Sequence, residues 1–275
     1  MDSRTRNAVN GNRGSSSLRF HGAESEADGR PSGTGSGLVA GAGPCDARCM
    51  SALTKVADGV HVGALFPRNV FNTVVLDGPD GDVVIDAGPP WSRRRFARYL
   101  KGRDVAEHVV THAHGDHVGS TAWLCNHTGA PLAMSAVEAD DFESGSIAYH
   151  AGAGGKYWIA PLGRKRRKVD RRLREGDEVA GFKVLAQPGH SPGLLAFWRE
   201  ADGTLVVGDG PINLSTDPDR PRWLHMPTRL HHNPEAAVAS RWKLTELEPQ
   251  LIVSTHGYPV RNLDAWIEGV RTVPH

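Results

Sequence analysis

The 275-residue sequence has few cysteines, no long apolar run and no excess of one charge. Cysteine stands at Cys45, Cys49 and Cys125 alone. An odd number at irregular spacing excludes a disulfide framework, so the expected setting is reducing and cytoplasmic. Cys45 and Cys49 are read as bystanders, not as a metal or disulfide pair. No stretch approaches the roughly 18 apolar residues that a membrane helix needs, and no membrane partner is expected. The first residues lack the apolar core of a secretory signal. Lys and Arg number 32 against 31 Asp and Glu, a formal net charge of +1. No global field therefore draws the chain to nucleic acid, which is not an expected partner.

What is present divides in two. Residues 1–49 are rich in Gly and Ser and poor in aliphatics, and cannot offset the entropy of ordering. They are expected to form a disordered arm, with Met50 as the physiological start and residues 50–275 as the folded domain. From there strands and helices alternate. Val74–Leu76 and Val83–Asp86 flank the turn-rich DGPDGD and predict a hairpin. A helix is expected over 92–100 with Ser92 as its cap, and another over 120–127 stopped by Gly129. Asn233 and Pro234 open a third, over 233–247, with Ala237, Leu244 and Leu247 on its buried stripe.

The chemistry begins at THAHGDH, residues 111 to 117. Three imidazoles and a carboxylate at this density are either solvated or converge on something positively charged. Other apolar segments end in the same residue types. Val184–Leu185 runs to His190, Val206–Val207 to Asp209, and Ile252–Val253 to His256. Imidazole nitrogen and carboxylate oxygen are the donors that zinc and related divalent ions accept. Together with His112, His114, Asp116 and His117 they exceed one tetrahedral site. They suit two metals roughly 3.5–4 Å apart that activate a water between them. Gly115 is expected to take a backbone conformation that a larger residue would strain.

This combination resembles the metallo-β-lactamase superfamily. The resemblance rests on HAHGDH at 112–117, PGHSPG at 188–193, GDG at 208–210, THG at 255–257 and IDAG at 85–88, and covers about residues 55 to 265. It implies an α/β (α+β) fold, a four-layer αββα sandwich. It implies that His112, His114 and His190 hold one metal, that Asp116, His117 and His256 hold a second, and that Asp209 bridges. Asp116 would also orient the nucleophile, and Asp86 would support the loops from behind. The cofactors implied are two divalent ions, zinc first, with iron or manganese as alternatives. A hydroxide held by both would cleave a small ester, thioester or lactone.

Departures narrow the group. Zinc β-lactamases commonly replace the bridging aspartate, which here is present as Asp209. Glyoxalase II enzymes carry a C-terminal helical region, whereas this sequence ends 19 residues after His256. Quorum-quenching lactonases place a tyrosine after the bridging aspartate, where Pro211, Ile212 and Asn213 stand here; Tyr149, Tyr157 or Tyr258 could substitute. The usual Pro-Gly before the last histidine is Ser254-Thr255. The best match is the small single-domain hydrolases of the fold. The alternatives are a nuclease or phosphodiesterase of the ribonuclease Z type, guided by the basic run 164–174, and a sulfur dioxygenase with one iron on His112, His190 and Asp209. The basic run is read as a solvated turn and edge strand. His61, His108, His127, His150, His225, His231, His232 and His275 are read as surface or packing residues. His231 and His232 could border the pocket, and Tyr149 and His150 could belong to a lid.

Overall fold

The computed structural model describes residues 52–146 and 167–271. The expectations for the arm 1–49, Met50, Cys45, Cys49, Tyr149, His150, Tyr157, His275 and the first residues of the basic run lie outside the described residues. No described helix is long and apolar enough to cross a membrane.

Two sheets carry the fold. The first holds, in spatial order, β1 (Thr54–Ala57), β2 (Val60–Ala64), β3 (Asn72–Leu76), β4 (Asp82–Ile85), β5 (Val105–Val110), β6 (Leu132–Ser135) and β7 (Arg171–Leu173). β1 to β4 pair antiparallel, including the expected hairpin of β3 and β4, and β4 to β7 pair parallel. The second holds β8 (Glu178–Val179), β9 (Phe182–Ala186), β10 (Leu195–Arg199), β11 (Thr204–Val207) and, parallel to β11, β14 (Leu251–Ser254). β12 (Ile212–Asn213) and β13 (Trp223–Leu224) form a separate ribbon. The helices are α1 (Arg93–Tyr99), α2 (Gly115–Val118), α3 (Thr121–Thr128), α4 (Ala139–Ser144), α5 (Pro234–Thr245) and α6 (Leu263–Arg271).

Alternation along the strands builds the layers. Val74, Leu76, Val83, Ile85 and Val109 of the first sheet share one buried cluster with Val184, Phe197, Val206 and Val253 of the second. The other face of the first sheet, through Val75, Val84 and Val105, packs on Phe96 and Tyr99 of α1 and Leu124 of α3. The other face of the second, through Ala196, Leu205, Val207 and Ile252, packs on Leu244 of α5 and Trp266 of α6. Both sheets are apolar on both faces because each separates a neighbouring sheet from a helix layer. The result is the αββα sandwich.

The helix ends show where local reading holds. Asn233 caps α5, its side chain accepting from Ala236 N, and Gly129 ends α3 in the left-handed conformation. Ser92 does not cap α1. It closes a 3-10 turn, Pro90–Ser92, has helical backbone angles and makes no capping bond. The two prolines at 89 and 90 start that turn before the serine is reached, so the helix needs no separate cap.

His108 is a packing residue, as read from the sequence. It is fully buried on β5, its Nδ1–H donating to Val84 O at 2.8 Å while Nε2 accepts from Thr121 Oγ1 at 3.0 Å. Burial lowers its imidazole to about 4. A group depressed on folding supports stability above its unfolded value and loses that support as pH falls towards its folded value. Between pH 6.5 and 4, His108 should therefore withdraw about 3 kcal/mol. Denaturant unfolding across that range should show a component of acid sensitivity that His108→Gln lacks; identical slopes would refute the assignment.

Candidate metal centre

Every expected ligand sits where a strand ends, at one edge of the two facing sheets. β5 delivers His112, His114, Asp116 and His117, β9 delivers His190, β11 delivers Asp209, and β14 delivers His256. The pairs β4–β5 and β11–β14 are parallel, so their loops emerge on the same side. His112, His114, His117, His190, Asp209 and His256 are buried, and Asp116 is half-buried.

The side chains form two groups. His112, His114, His190 and Asp209 bring one donor atom each together, and Asp116, His117 and His256 do the same beside them. In the first, His112 Nε2 and His190 Nε2 each lie 2.9 Å from His114 Nδ1. In the second, the Nε2 atoms of His117 and His256 are 3.1 Å apart, each 3.8 Å from Asp116 Oδ2. Asp209 joins them. Its Oδ2 is 2.9 Å from His190 Nε2, and its Oδ1 is 3.0 Å from the Nε2 of both His117 and His256.

These contacts test whether divalent cations fit. His114 Nδ1 and the two imidazole nitrogens beside it cannot all be satisfied by protons, since a neutral ring carries one and a single lone pair cannot accept from both neighbours. Burial and neighbouring imidazoles press His112 well below its ordinary value; burial, then His190, presses His114 to about 3. Both rings therefore offer lone pairs at neutral pH. Asp209 Oδ1, though 3.0 Å from two nitrogens, takes no hydrogen bond, and buried Asp116 Oδ1 has no partner. Converging lone pairs and orphaned buried carboxylate oxygens are what cations would satisfy, and nitrogens bonded to a tetrahedral ion at about 2.0–2.1 Å stand close to these separations. The residues fit two divalent ions. Burial would raise Asp209, but His190, His256 and His117 hold it well below the usual carboxylate range. Burial opposes charge on His117 and His256; Asp86 and Asp209 nevertheless raise His117 well above its ordinary value, and Asp209 raises His256.

A polar scaffold aims the rings. Asp86 accepts from Thr111 N and Thr111 Oγ1, both at 2.8 Å, and from His117 Nδ1–H at 2.6 Å. Its φ of 58° is left-handed, which aspartate tolerates and which these three bonds hold in place. His256 Nδ1–H donates to Val70 O at 2.6 Å. Ser254 holds the turn before His256: its hydroxyl donates to Gly208 O and accepts from His256 N. Gly189, at φ 135°, is irreplaceable, since a Cβ there would lie 2.0 Å from Ala237 N of α5. Gly115 does not play the expected part. It is absent from the left-handed glycines and opens α2, whose first turn separates Asp116 from His117 by about 100°.

Sequence reasoning missed Glu138 altogether. It is fully buried and accepts from Ala113 N at 2.7 Å, Gly193 N at 2.8 Å and the Ser191 hydroxyl, tying the His112–His114 segment to the His190 loop. His231, read as a surface or packing residue that could border the pocket, is buried with its Nδ1 3.1 Å from His190 Nδ1. The described part of the basic run is largely engaged. Arg171 pairs with Glu107 at 3.1 Å, and Arg172 with Asp140 at 2.6 Å and Glu143 at 3.6 Å.

Comparison with known proteins agrees with this geometry. A family model described as the metallo-beta-lactamase superfamily matches residues 67–256. The chain is 27% identical over 232 residues to the probable metallo-hydrolase YflN of Bacillus subtilis, covering 75% of this chain and 86% of that one. It is 25% identical over 213 residues to a hydroxyacylglutathione hydrolase of Bdellovibrio bacteriovorus, covering 74% and 70%. Among solved structures it is similar to a beta-lactamase domain protein from Burkholderia ambifaria (TM-score 0.57, 25% identity, 80% and 75% covered). It is also similar to TTHA1623 in a di-iron-bound form (TM-score 0.54, 27% identity, 74% and 94% covered).

Removing Glu138 would leave buried donors without an acceptor, at about 1–3 kcal/mol each. Glu138→Ala is expected to cost about 3–5 kcal/mol and to loosen metal binding, with Glu138→Gln milder. Thermal melts with metal analysis check this; a Glu138→Ala protein that melts with the wild type and keeps its metal would show that the tie is dispensable.

Proposed function

We propose that this chain, which belongs to the metallo-β-lactamase superfamily and is a metallo-hydrolase of that fold, cleaves a small ester, thioester or lactone at two divalent ions held by His112, His114, His190, Asp116, His117, His256 and the shared Asp209. The observation that carries the reading is Asp209, whose two oxygens face different histidine groups. One carboxylate between two donor sets is the arrangement expected of a bridge. A pair of divalent ions, when bound, supplies Lewis acidity for the developing oxyanion and lowers the pKa of a water between them.

The chain's own residues do the rest. Asp116, with a buried oxygen that has no partner, would orient that water and take its proton. Asp86 and Val70 O fix the tautomers of His117 and His256 by accepting from their Nδ1–H, leaving Nε2 to face the centre. Phe71 packs edge-on to His256 at 5.5 Å and to Phe66 at 5.9 Å, and Phe66 is 41% exposed. This apolar wall suits the carbon skeleton of a small substrate. The similarity to a protein named a hydroxyacylglutathione hydrolase supports an acyl substrate, and the di-iron relative keeps iron beside zinc as a candidate metal. The ion pairs of Arg171 and Arg172 speak against a nucleic-acid track along the described basic run.

Protein purified without added metal should contain two ions per chain. Asp209→Ala should lose at least one of them, and Asp116→Ala should lower kcat on p-nitrophenyl or thioester substrates by about 10²–10⁴-fold, both with an unchanged far-UV spectrum. Full turnover in both variants would overturn the two-metal reading, and a single iron per chain would turn it towards the dioxygenase.

A further inference from the structure

Beyond His190 lies a buried arginine with no acid beside it. Arg241, on α5, is 3% exposed. Among the described residues, its side chain has one close polar neighbour, His231 Nε2, 3.4 Å from Nη2. The carboxylate whose charge reaches it is Asp209, already surrounded by three imidazoles. Burial lowers the guanidinium to about 10, so it stays charged at neutral pH. A buried cation without a counter-anion is strongly disfavoured, and sites that keep one usually present it to an anion.

Counting protons sets the direction. His190 turns Nε2 towards His114 and Asp209, so as a metal ligand it carries its proton on Nδ1. That N–H donates to His231 Nδ1 across 3.1 Å. A neutral His231 then carries its own proton on Nε2, the atom that faces Arg241. Two donors meet, and neither can accept from the other. The network running from His190 through His231 to Arg241 is completed only by an acceptor that takes from both ends.

We propose that Arg241 and His231 form an oxyanion-binding subsite on the His190 side of the metal centre, and that the substrate carries a carboxylate or phosphate group placed there. The inference rests on the hydrolase reading for the bond cleaved, but not for the anion bound. It selects among small esters and thioesters those with an acidic group on one side of the scissile bond. The apolar wall of Phe71 and Phe66, beside His256, would take the other side.

Arg241→Met, of similar volume and apolar, is the test, made on zinc-loaded protein. Wild type should hydrolyse mono-p-nitrophenyl glutarate with a kcat/KM about tenfold or more above that for p-nitrophenyl butyrate, and Arg241→Met should lose most of that preference through KM. Calorimetric titration with inorganic phosphate and with malonate should show binding weakened about tenfold or more in the variant at unchanged zinc content. Whichever of the two binds wild type more tightly identifies the oxyanion. The variant should melt no lower than wild type, because an unneutralised buried charge has been removed. Equal binding of both anions by wild type and variant would overturn the proposal. So would a variant that melts well below wild type or sheds zinc, since Arg241 would then be a structural brace. If neither ester is cleaved but anion binding still depends on Arg241, the subsite stands and the hydrolase reading falls.

Discussion

A carboxylate shared between two sets of imidazoles is the interaction on which the rest of this molecule depends. Asp209 is buried at the end of β11, within 3.0 Å of His190, His117 and His256. Those histidines come from β9, from the loop after β5 and from β14, in two different sheets. Burying so many polar groups in one place is unfavourable unless each finds a partner. The sheets satisfy that condition by facing each other over an apolar interior and by aligning β4–β5 and β11–β14 so that their loops leave together. Packing thus decides where the loops meet, and the loops' chemistry decides what can bind.

The supports around this point differ in kind. Asp86 and Val70 O act on single rings, by accepting a hydrogen bond from Nδ1–H and so keeping the proton on that nitrogen. Glu138 and Asn72 act on backbone. Glu138 joins the loops that hold His112–His114 and His190, and Asn72 donates to Ser254 O and Gly257 O, holding β3 against the His256 turn. Gly189 acts by having no side chain, which lets the His190 loop lie against α5. That same close approach brings Arg241 and His231 to the rear of His190. A packing necessity therefore places a cation next to the candidate metal centre.

Much of this could be read in the chain. Strands that end in His or Asp are visible because a run of Val and Leu stops abruptly at a polar residue and a glycine. The C-terminal end of α3 and the start of α5 were legible because Gly129 and Asn233–Pro234 act on their own backbone, whereas α5 stops at Thr245, short of the expected 247, and leaves Leu247 outside the helix. What was illegible depends on distant approach. Glu138 stands among other acidic residues, and nothing nearby shows that Ala113, 25 positions earlier, and Gly193, 55 positions later, will donate to it. His231 is 41 positions from His190, and its role exists only once α5 docks. Gly115 was misread for the opposite reason. A glycine between ligands suggests a strained turn, but the chain turns there by starting a helix, which needs no left-handed residue.

The use of different nitrogens within one loop follows from the same backbone logic. His114 lies in extended conformation, with φ −72° and ψ 149°, immediately before α2. Residues two apart in an extended segment share a face but are set about 6–7 Å apart along it. Two identical side chains on such a face converge with little bending of either when they use atoms of unequal reach. His112 therefore presents its far nitrogen, Nε2, and His114 its near one, Nδ1, and the two meet at 2.9 Å. His190, arriving from the opposite sheet, again uses Nε2. His114 Nε2 is left buried without a partner, whereas His112 Nδ1 is 3.1 Å from the Thr111 hydroxyl. The short spacing of the first two histidines is thus a geometric device: one extended step plus two unequal reaches of the same ring converge on a single place.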